Sequence, residues 1–470
     1  MLSLDDLNAL NPWWTAPRWT AADDPHLSGV ASARFDWDPR PFDAADLASA
    51  AVFTLRGPRQ SGKTTLTKRL IAERVAAGLG RRTCFLTLRV IDNADGIRAA
   101  IETVLRLWPA EEPASPWLFV LDELTFVKGW ANALAHLREF NPEFRRATVI
   151  LTGSSAADLV ASSDDMQGRR GRWHRPLDRL HMPMTFRDFL AARSPRLDLG
   201  DQVRVDDLLT SDGRRTAQVL SLRGGEIDQY LGEYARCGGL PAPVTDSLIE
   251  GRLQLGTVME LWRGLSADVR RLDRSEARLS KLISRTVVAL GQPTNLTDVA
   301  RDMDVSKPTA TDYIDLLAKS FGLVVLHERD QKRQSGPSLT KTRKHYFGDP
   351  AFAAIPAAQG GPTPTDPALV ENLLLIALFR HVERNALESF AVPQNLFVWR
   401  SDRGREIDFV ADTATGALPI ESKYAQSPDG KDYESMTKAF GFGVMASRQT
   451  VNIDREILTV PAGVLLAMIG

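Results

Sequence analysis

The stretch GPRQSGKT, residues 57–64, decides how the first part of this chain folds. It fits the spacing G-x-x-x-x-G-K-[ST], follows the apolar run AVFTLR (51–56) and opens a helix expected from Lys63 to about Ala77. Strand, glycine-rich turn and helix in that order make a phosphate-binding loop, because loop N–H groups and the positive end of the helix dipole surround an anion. Gly57, Pro58, Arg59, Gln60, Ser61, Gly62, Lys63, Thr64 and Thr65 are therefore the expected ATP contacts. Lys63 is placed to reach the β- and γ-phosphates, and the Thr64 hydroxyl to ligate Mg²⁺.

Working outward, WLFVLDE (117–123) is an apolar strand ending in two carboxylates. Asp122 is expected in the Mg²⁺ shell, and Glu123 as the general base on the attacking water. TVILTGSS (148–155) ends in small polar residues; Thr152 and Ser154 are candidates to sense the γ-phosphate, although Thr-Gly-Ser is also ordinary turn chemistry. With RTCFLTLRV (82–90) and helices expected over 94–107 and 131–140, strands and helices alternate. That pattern predicts an α/β fold built on a parallel sheet. Ahead of it, residues 1–50 carry NPWWTAPRWT and FDWDPRPFD, read as an irregular Trp/Pro-rich arm whose tryptophans anchor to the next domain.

The chain has 470 residues, 43% hydrophobic and 25% charged, with a net charge of -1. This length predicts several domains, and the near-neutral balance means that any nucleic-acid site must come from local clustering. Two cysteines, Cys84 and Cys237, make no metal or disulfide spacing, which fits a reducing, cytoplasmic location. GVLLAMIG at the end is too short to span a bilayer, and no membrane partner is expected.

After the sheet pattern, MQGRRGRWHRPLDRL (166–180) presents Arg169, Arg170 and Arg172. Arg172 is the candidate to reach a neighbouring subunit's nucleotide; solvated arginines on a basic loop are the other reading. Further on, residues 296–330 read as helix, tight turn, helix, strand, in the manner of a winged helix. Its second helix places Ser306, Lys307, Thr309 and Thr311 at the end that reads a major groove. The following ERDQKRQSGPSLTKTRKHYF (328–347) holds Arg329, Lys332, Arg333, Lys341, Arg343 and Lys344, suited to phosphate contacts or simply to a solvated face.

REIDFVAD (405–412) and LPIESKYA (418–425) form an expected hairpin about TATGA. Alternation puts Glu421 and Lys423 on one face, and the pairing brings Asp408 to them. This D-x(n)-E-x-K pattern, joined by Glu371 from LVENLLLIALFRH (369–381) and by Glu406, is that of a metal site in nuclease-like folds. Asp408, Glu421 and Glu371 are the expected Mg²⁺ ligands, and Asp408, Glu421 and Lys423 the expected catalytic set. An ordinary charged hairpin remains the alternative.

GPRQSGKTT, FVLDE, TGSS, GR followed by PLDRLHMPMTFRDFL, and YLGEYARCGGLPAPV occur here in that order. Over about residues 50 to 440 the chain resembles a bacterial and archaeal family of AAA-type ATPases. The resemblance implies an AAA-type core (51–192), a helical lid (193–250), a winged-helix region (251–345) and a C-terminal restriction-endonuclease-like α/β domain (346–470), the last long labelled as of unknown function. The expected function is an ATP-hydrolysing machine acting on DNA, in translocation, branch remodelling or processing for repair or defence. Self-association is expected with it, a hexameric ring being one form. Two alternatives stand beside it: a nucleotide-gated signalling or assembly switch with an inactive nuclease-like module, and an ATP-regulated metal-dependent DNA nuclease.

Overall fold

The computed structural model describes residues 2–16, 18–31, 35–107, 115–153, 166, 168–333, 335–383, 392–401, 404–424 and 427–470. Contacts divide the chain into two units, Met1–Met182 and Pro183–Gly470.

In the first unit, β1 (Val52–Arg56), β2 (Thr83–Thr87), β3 (Leu118–Asp122), β4 (Thr148–Thr152) and β5 (Asp178–Leu180) form a sheet in the order β2-β3-β4-β1-β5. All its pairings are parallel. β1, β3 and β4 are buried along their whole length, which is why they read as continuous apolar runs and not as alternation. The helix Ala94–Leu107 buries Ile97, Ala100, Ile101, Val104 and Leu105, one stripe at helical spacing.

The Trp/Pro-rich arm belongs to this unit and caps its edge strand. Asn11 Oδ1 accepts from Phe85 N at 2.6 Å, and its Nδ2 donates to Phe85 O at 3.1 Å. The indoles of Trp13 and Trp14 both donate to Thr83 O at 3.0 Å. Side chains thus satisfy the outward main chain of β2, which an uncovered edge would leave open to another strand. Lys68 and Asp24, both buried and 3.2 Å apart, pin the arm to the helix that follows the phosphate loop.

The division between the units falls at residue 182, inside the segment 51–192 expected for the ATPase core. The helix Phe186–Arg193 packs within the second unit: Phe186 and Phe189 lie 5.4 and 5.3 Å from the Tyr234 ring, and Arg187 Nη1 donates to Ala467 O at 3.0 Å.

The second unit begins with helices, among them Ser211–Ser221, Gly224–Cys237, Pro241–Glu250, Leu255–Arg271 and Glu276–Val288. β6 (Pro293–Thr294), the helices Leu296–Met303 and Lys307–Lys319, β7 (Leu323–Arg329) and β8 (Pro337–Phe347) come next. The helix Asp366–Val382 leads into β9 (Leu396–Arg400), β10 (Glu406–Thr413), β11 (Gly416–Lys423), the helix Gly430–Ala439, β12 (Gly443–Ser447), β13 (Ile457–Pro461) and the helix Ala462–Ile469. These strands make one sheet in the order β13-β12-β11-β10-β9-β7-β8-β6, the two halves meeting where Glu328 pairs with Val398. Residue 345, the expected end of the winged-helix region, lies inside β8, which pairs with β6 on one side and β7 on the other.

Two motifs find structural reasons here. GVLLAMIG forms a helix whose described residues are all buried, so it is a core helix; among the described residues no helix is long and apolar enough to cross a membrane. In CGGLP, Gly238 has φ +65° and a Cβ there would lie 1.9 Å from Asp349 Oδ1. Asp349 in turn accepts from Gly239 N and Ala351 N, each at 2.9 Å, so the paired glycines let a buried carboxylate clamp two loops.

Candidate functional site

The phosphate loop is held open from both sides. Gln60 and Gly62 take left-handed φ of 62° and 92°, turning the chain so that the helix Lys63–Ala76 starts at the end of the loop. Lys63 Nζ donates to Gly57 O at 3.0 Å and Pro58 O at 2.7 Å, drawing the ammonium across the concave side of the loop. Burial depresses the Lys63 pKa to about 8, with Glu123 and Asp122 pulling the other way. Gly57 is irreplaceable on geometric grounds: a Cβ there would stand 2.1 Å from His181 O. His181 also braces the loop through Nε2, 2.7 Å from Ser61 O, and stacks on Trp37 at 5.3 Å.

Across from the loop, the Thr64 hydroxyl donates to Asp122 Oδ2 at 3.1 Å, while the Thr152 hydroxyl donates to Asp122 Oδ1 and accepts from Glu123 N at 3.3 Å. Thr152 thus ties the Asp122 carboxylate to the main chain of Glu123. Glu123 sits at φ +60° with Oε1 3.0 Å from Arg89 Nη2. Its Oε2 and the fully buried Ser61 Oγ have no hydrogen-bond partner among the described residues. Anionic phosphates, a bound cation between Thr64 and Asp122, and a water at Glu123 all fit these donors and acceptors.

Ser154 lies outside the described residues. Arg169 pairs with Glu139 at 3.0 Å and Arg170 grips Asp178 with both terminal nitrogens at 3.1 and 3.0 Å; Arg172 is exposed. Sequence reading missed Arg89, Trp37 and His181. Each reaches the site by long-range packing and carries no local motif.

In the second unit β10 and β11 pair as expected, Phe409 opposite Ile420. Asp408 N donates to Glu421 Oε2 at 3.1 Å, and Lys423 Nζ lies 2.9 Å from Glu421 Oε1 and 3.6 Å from Asp432. Asp408, Glu421 and Lys423 therefore do come together, with Glu406 and Glu371 close by. Between Glu406, Asp408 and Glu371, however, stands Lys344. Its Nζ is 2.7 Å from Glu406, 3.0 Å from Asp408 and 3.2 Å from Glu371. Burial and the neighbouring Asp408 charge raise the pKa values of both Glu371 and Glu421. Burial works against the Lys344 ammonium, but Tyr346, Asp408, Glu371 and Glu406 outweigh it and hold the lysine protonated.

One expectation is corrected here. Lys344 is no surface phosphate contact, being 2% exposed: alternation along β8 sends it and Tyr346 to the carboxylates, away from its neighbours in the sequence. Of the expected Mg²⁺ ligands, Glu371 and Asp408 meet at the Lys344 ammonium, while Glu421 pairs with Lys423.

Of the remaining expected DNA contacts, Lys307, Lys332, Arg333 and Lys341 are exposed, and Thr309 and Arg343 half-buried. Ser306 caps the helix Lys307–Lys319, and the Thr309 and Thr311 hydroxyls bond Ser306 Oγ and Lys307 O. Lys341 pairs with Glu328, and Arg329 with Asp412 at 2.9 Å.

Comparison with known families agrees with the loop geometry. Residues 49–190 match the family model described as "AAA domain". Residues 228–360 and 368–463 match models described as "Domain of unknown function (DUF8612)" and "Domain of unknown function (DUF4143)". No curated protein matches the chain. Similar solved structures include a Walker-type ATPase of Pyrococcus abyssi, at 16% identity over 65% of this chain and 90% of that one, TM-score 0.38. The Orc1 protein of Aeropyrum pernix in complex with DNA matches at 15% identity over 73% and 95%, TM-score 0.29. RuvB of Thermotoga maritima matches at 18% identity over 62% and 86%, TM-score 0.25.

Proposed function

We propose that this protein is an ATP-hydrolysing AAA-type machine that acts on DNA and self-associates to do so. The observation that carries the ATPase reading is the single constellation of Lys63 across the loop, Thr64 on Asp122, and Glu123 beside them. On this reading Lys63 leaves the Gly57 and Pro58 carbonyls for the β- and γ-phosphates, and Glu123 takes the proton of the attacking water. Thr64 and Asp122 hold Mg²⁺, which neutralises phosphate charge when bound. Arg172, exposed where Arg169 and Arg170 are tied down, is the arginine to complete a neighbouring subunit's site.

For DNA, the support is the order of elements in the second unit. The helices Glu276–Val288, Leu296–Met303 and Lys307–Lys319 with β6, β8 and β7 have the sequence of a winged helix, and Lys307, Lys332, Arg333 and Lys341 are exposed on it. The helix Asp366–Val382, the antiparallel β9-β10-β11, the helix Gly430–Ala439 and β12 parallel to β11 follow the order of a restriction-endonuclease-like core.

The test is ATP turnover at low salt with single-stranded, duplex and branched DNA. Acceleration by at least one of them is expected. Unaltered turnover with all three would refute the DNA part and favour the nucleotide-gated switch.

A further inference from the structure

The acidic residues of the C-terminal domain have the types found in metal-dependent nucleases, yet the position where their oxygens meet is taken by a side chain of the protein. A lysine ammonium has three protons and no acceptor. At Lys344 the three face Glu406 Oε1, Asp408 Oδ1 and Glu371 Oε1, the same oxygens that a shared divalent ion would use. The other oxygens of Asp408 and Glu406, and those of Glu421, are engaged too. Asp408 Oδ2 accepts from Ser422 N at 3.0 Å, Glu406 Oε2 from Arg400 Nε at 2.7 Å, and Glu421 from Lys423 and Asp408 N.

The lysine is also locked from behind. β8 is paired at this residue on both sides, to Leu326 of β7 and to Pro293 of β6. Tyr346, on the same face, donates to Glu371 at 2.6 Å. Gly291 closes in from the loop before β6: a Cβ there would stand 2.8 Å from both Glu371 oxygens. A hard cation such as Mg²⁺ needs near-octahedral oxygen ligands at about 2.0–2.1 Å. To enter, it would have to expel an ammonium that has no solvated place to go without moving β8.

We propose that Lys344 is the resident cation of this carboxylate cluster, standing where a divalent metal stands in nucleases of this acidic pattern, so that the domain binds no such metal there and cuts no phosphodiester. The inference rests on the nuclease-like reading of the domain and is independent of ATP turnover. What the cluster does instead is tie β8 to β10 and to the helix Asp366–Val382 through one buried charge.

The experiment is Mn²⁺ binding to the full, nucleotide-free chain, followed by electron paramagnetic resonance, in a Thr64→Ala background that removes the phosphate-loop site. The parent is expected to bind no Mn²⁺ at the cluster and to leave DNA intact in Mn²⁺. Lys344→Met, which keeps the apolar stem and frees the three carboxylates, is expected to gain one Mn²⁺ per chain and to lose it again on Asp408→Asn. Mn²⁺ bound by the parent and released by Asp408→Asn would overturn the proposal, and so would Mn²⁺-dependent cleavage abolished by that change. If Lys344→Met does not fold, the parent measurement alone decides. If it folds and takes up no Mn²⁺, the proposal and the nuclease-like reading of these carboxylates both fail, whereas an Asp408-dependent site in the parent leaves that reading standing.

Discussion

Replacing Lys63 with methionine should leave the nucleotide-free protein at least as stable as the parent while removing its response to ATP. Burial lowers the Lys63 pKa from 10.5 to about 8, so at pH 7 the ammonium is kept charged at a cost of about 3 kcal/mol, at ~1.4 kcal/mol per pKa unit. Against this stand its two hydrogen bonds to the carbonyls of Gly57 and Pro58, worth about 1 kcal/mol each. Methionine fills the same stem volume and carries no charge, leaving a net gain of about 1 kcal/mol. For a unit of this size that is a rise of roughly 3 °C in melting temperature. With MgATP at a hundred times its Kd the parent should gain about 2.7 kcal/mol, and the variant nothing. Thermal melts with and without MgATP at pH 7 read both effects. A nucleotide-free Lys63→Met that melts several degrees below the parent would refute the claim that the loop holds a desolvated charge in readiness for phosphate. A variant that is still stabilised by MgATP would refute the assignment of Lys63 itself.

Asn11→Ala should strip the partners from Phe85 N and O on the edge of the first sheet, costing about 3 kcal/mol by urea denaturation and promoting aggregation through β2. Asp349 gives a pH signature. Burial raises its pKa from 3.8 to about 6 despite the bonds from Gly239 N and Ala351 N, so the folded state binds the proton more tightly than the unfolded. Its contribution is fully present below about pH 4 and is lost as pH rises through 6, a change of about 3 kcal/mol. Measured by urea unfolding at pH 4 and pH 7, the parent should lose that much relative to Asp349→Asn, and parallel pH profiles would contradict it. Lys332→Ala and Arg333→Ala should each reduce the salt dependence of DNA binding, log Kd against log salt, by about one unit of slope without changing sequence preference.

What the sequence made legible was local chemistry. The strand, glycine turn and helix of residues 51–76 are specified within one stretch, and Asp122 at the end of an apolar run is recognisable wherever that run lies in the sheet. The hairpin of β10 and β11 is equally local, so the alternation along residues 405–425 is enough to bring Asp408, Glu421 and Lys423 together. Lys344 could not be placed that way. KTRK reads as one basic patch, but a strand divides it between two faces, and which face meets carboxylates depends on Glu371 and Glu406, distant in sequence. His181 and Arg89 are hidden for the same reason: their partners are a loop carbonyl and a strand-end glutamate brought close only by the finished sheet. The packing of Phe186 and Phe189 on Tyr234 is likewise a long-range contact that composition does not reveal.

The central claim is that Glu123 acts on a water beside ATP held by Lys63 and Thr64. The direct test is Glu123→Gln, an isosteric change that keeps the hydrogen-bonding shape and removes the base. ATP affinity, measured by equilibrium titration, should stay within about threefold of the parent, while phosphate release in a single turnover should fall by about 10²–10⁴-fold. Phosphate release at the parental rate from Glu123→Gln would contradict the account.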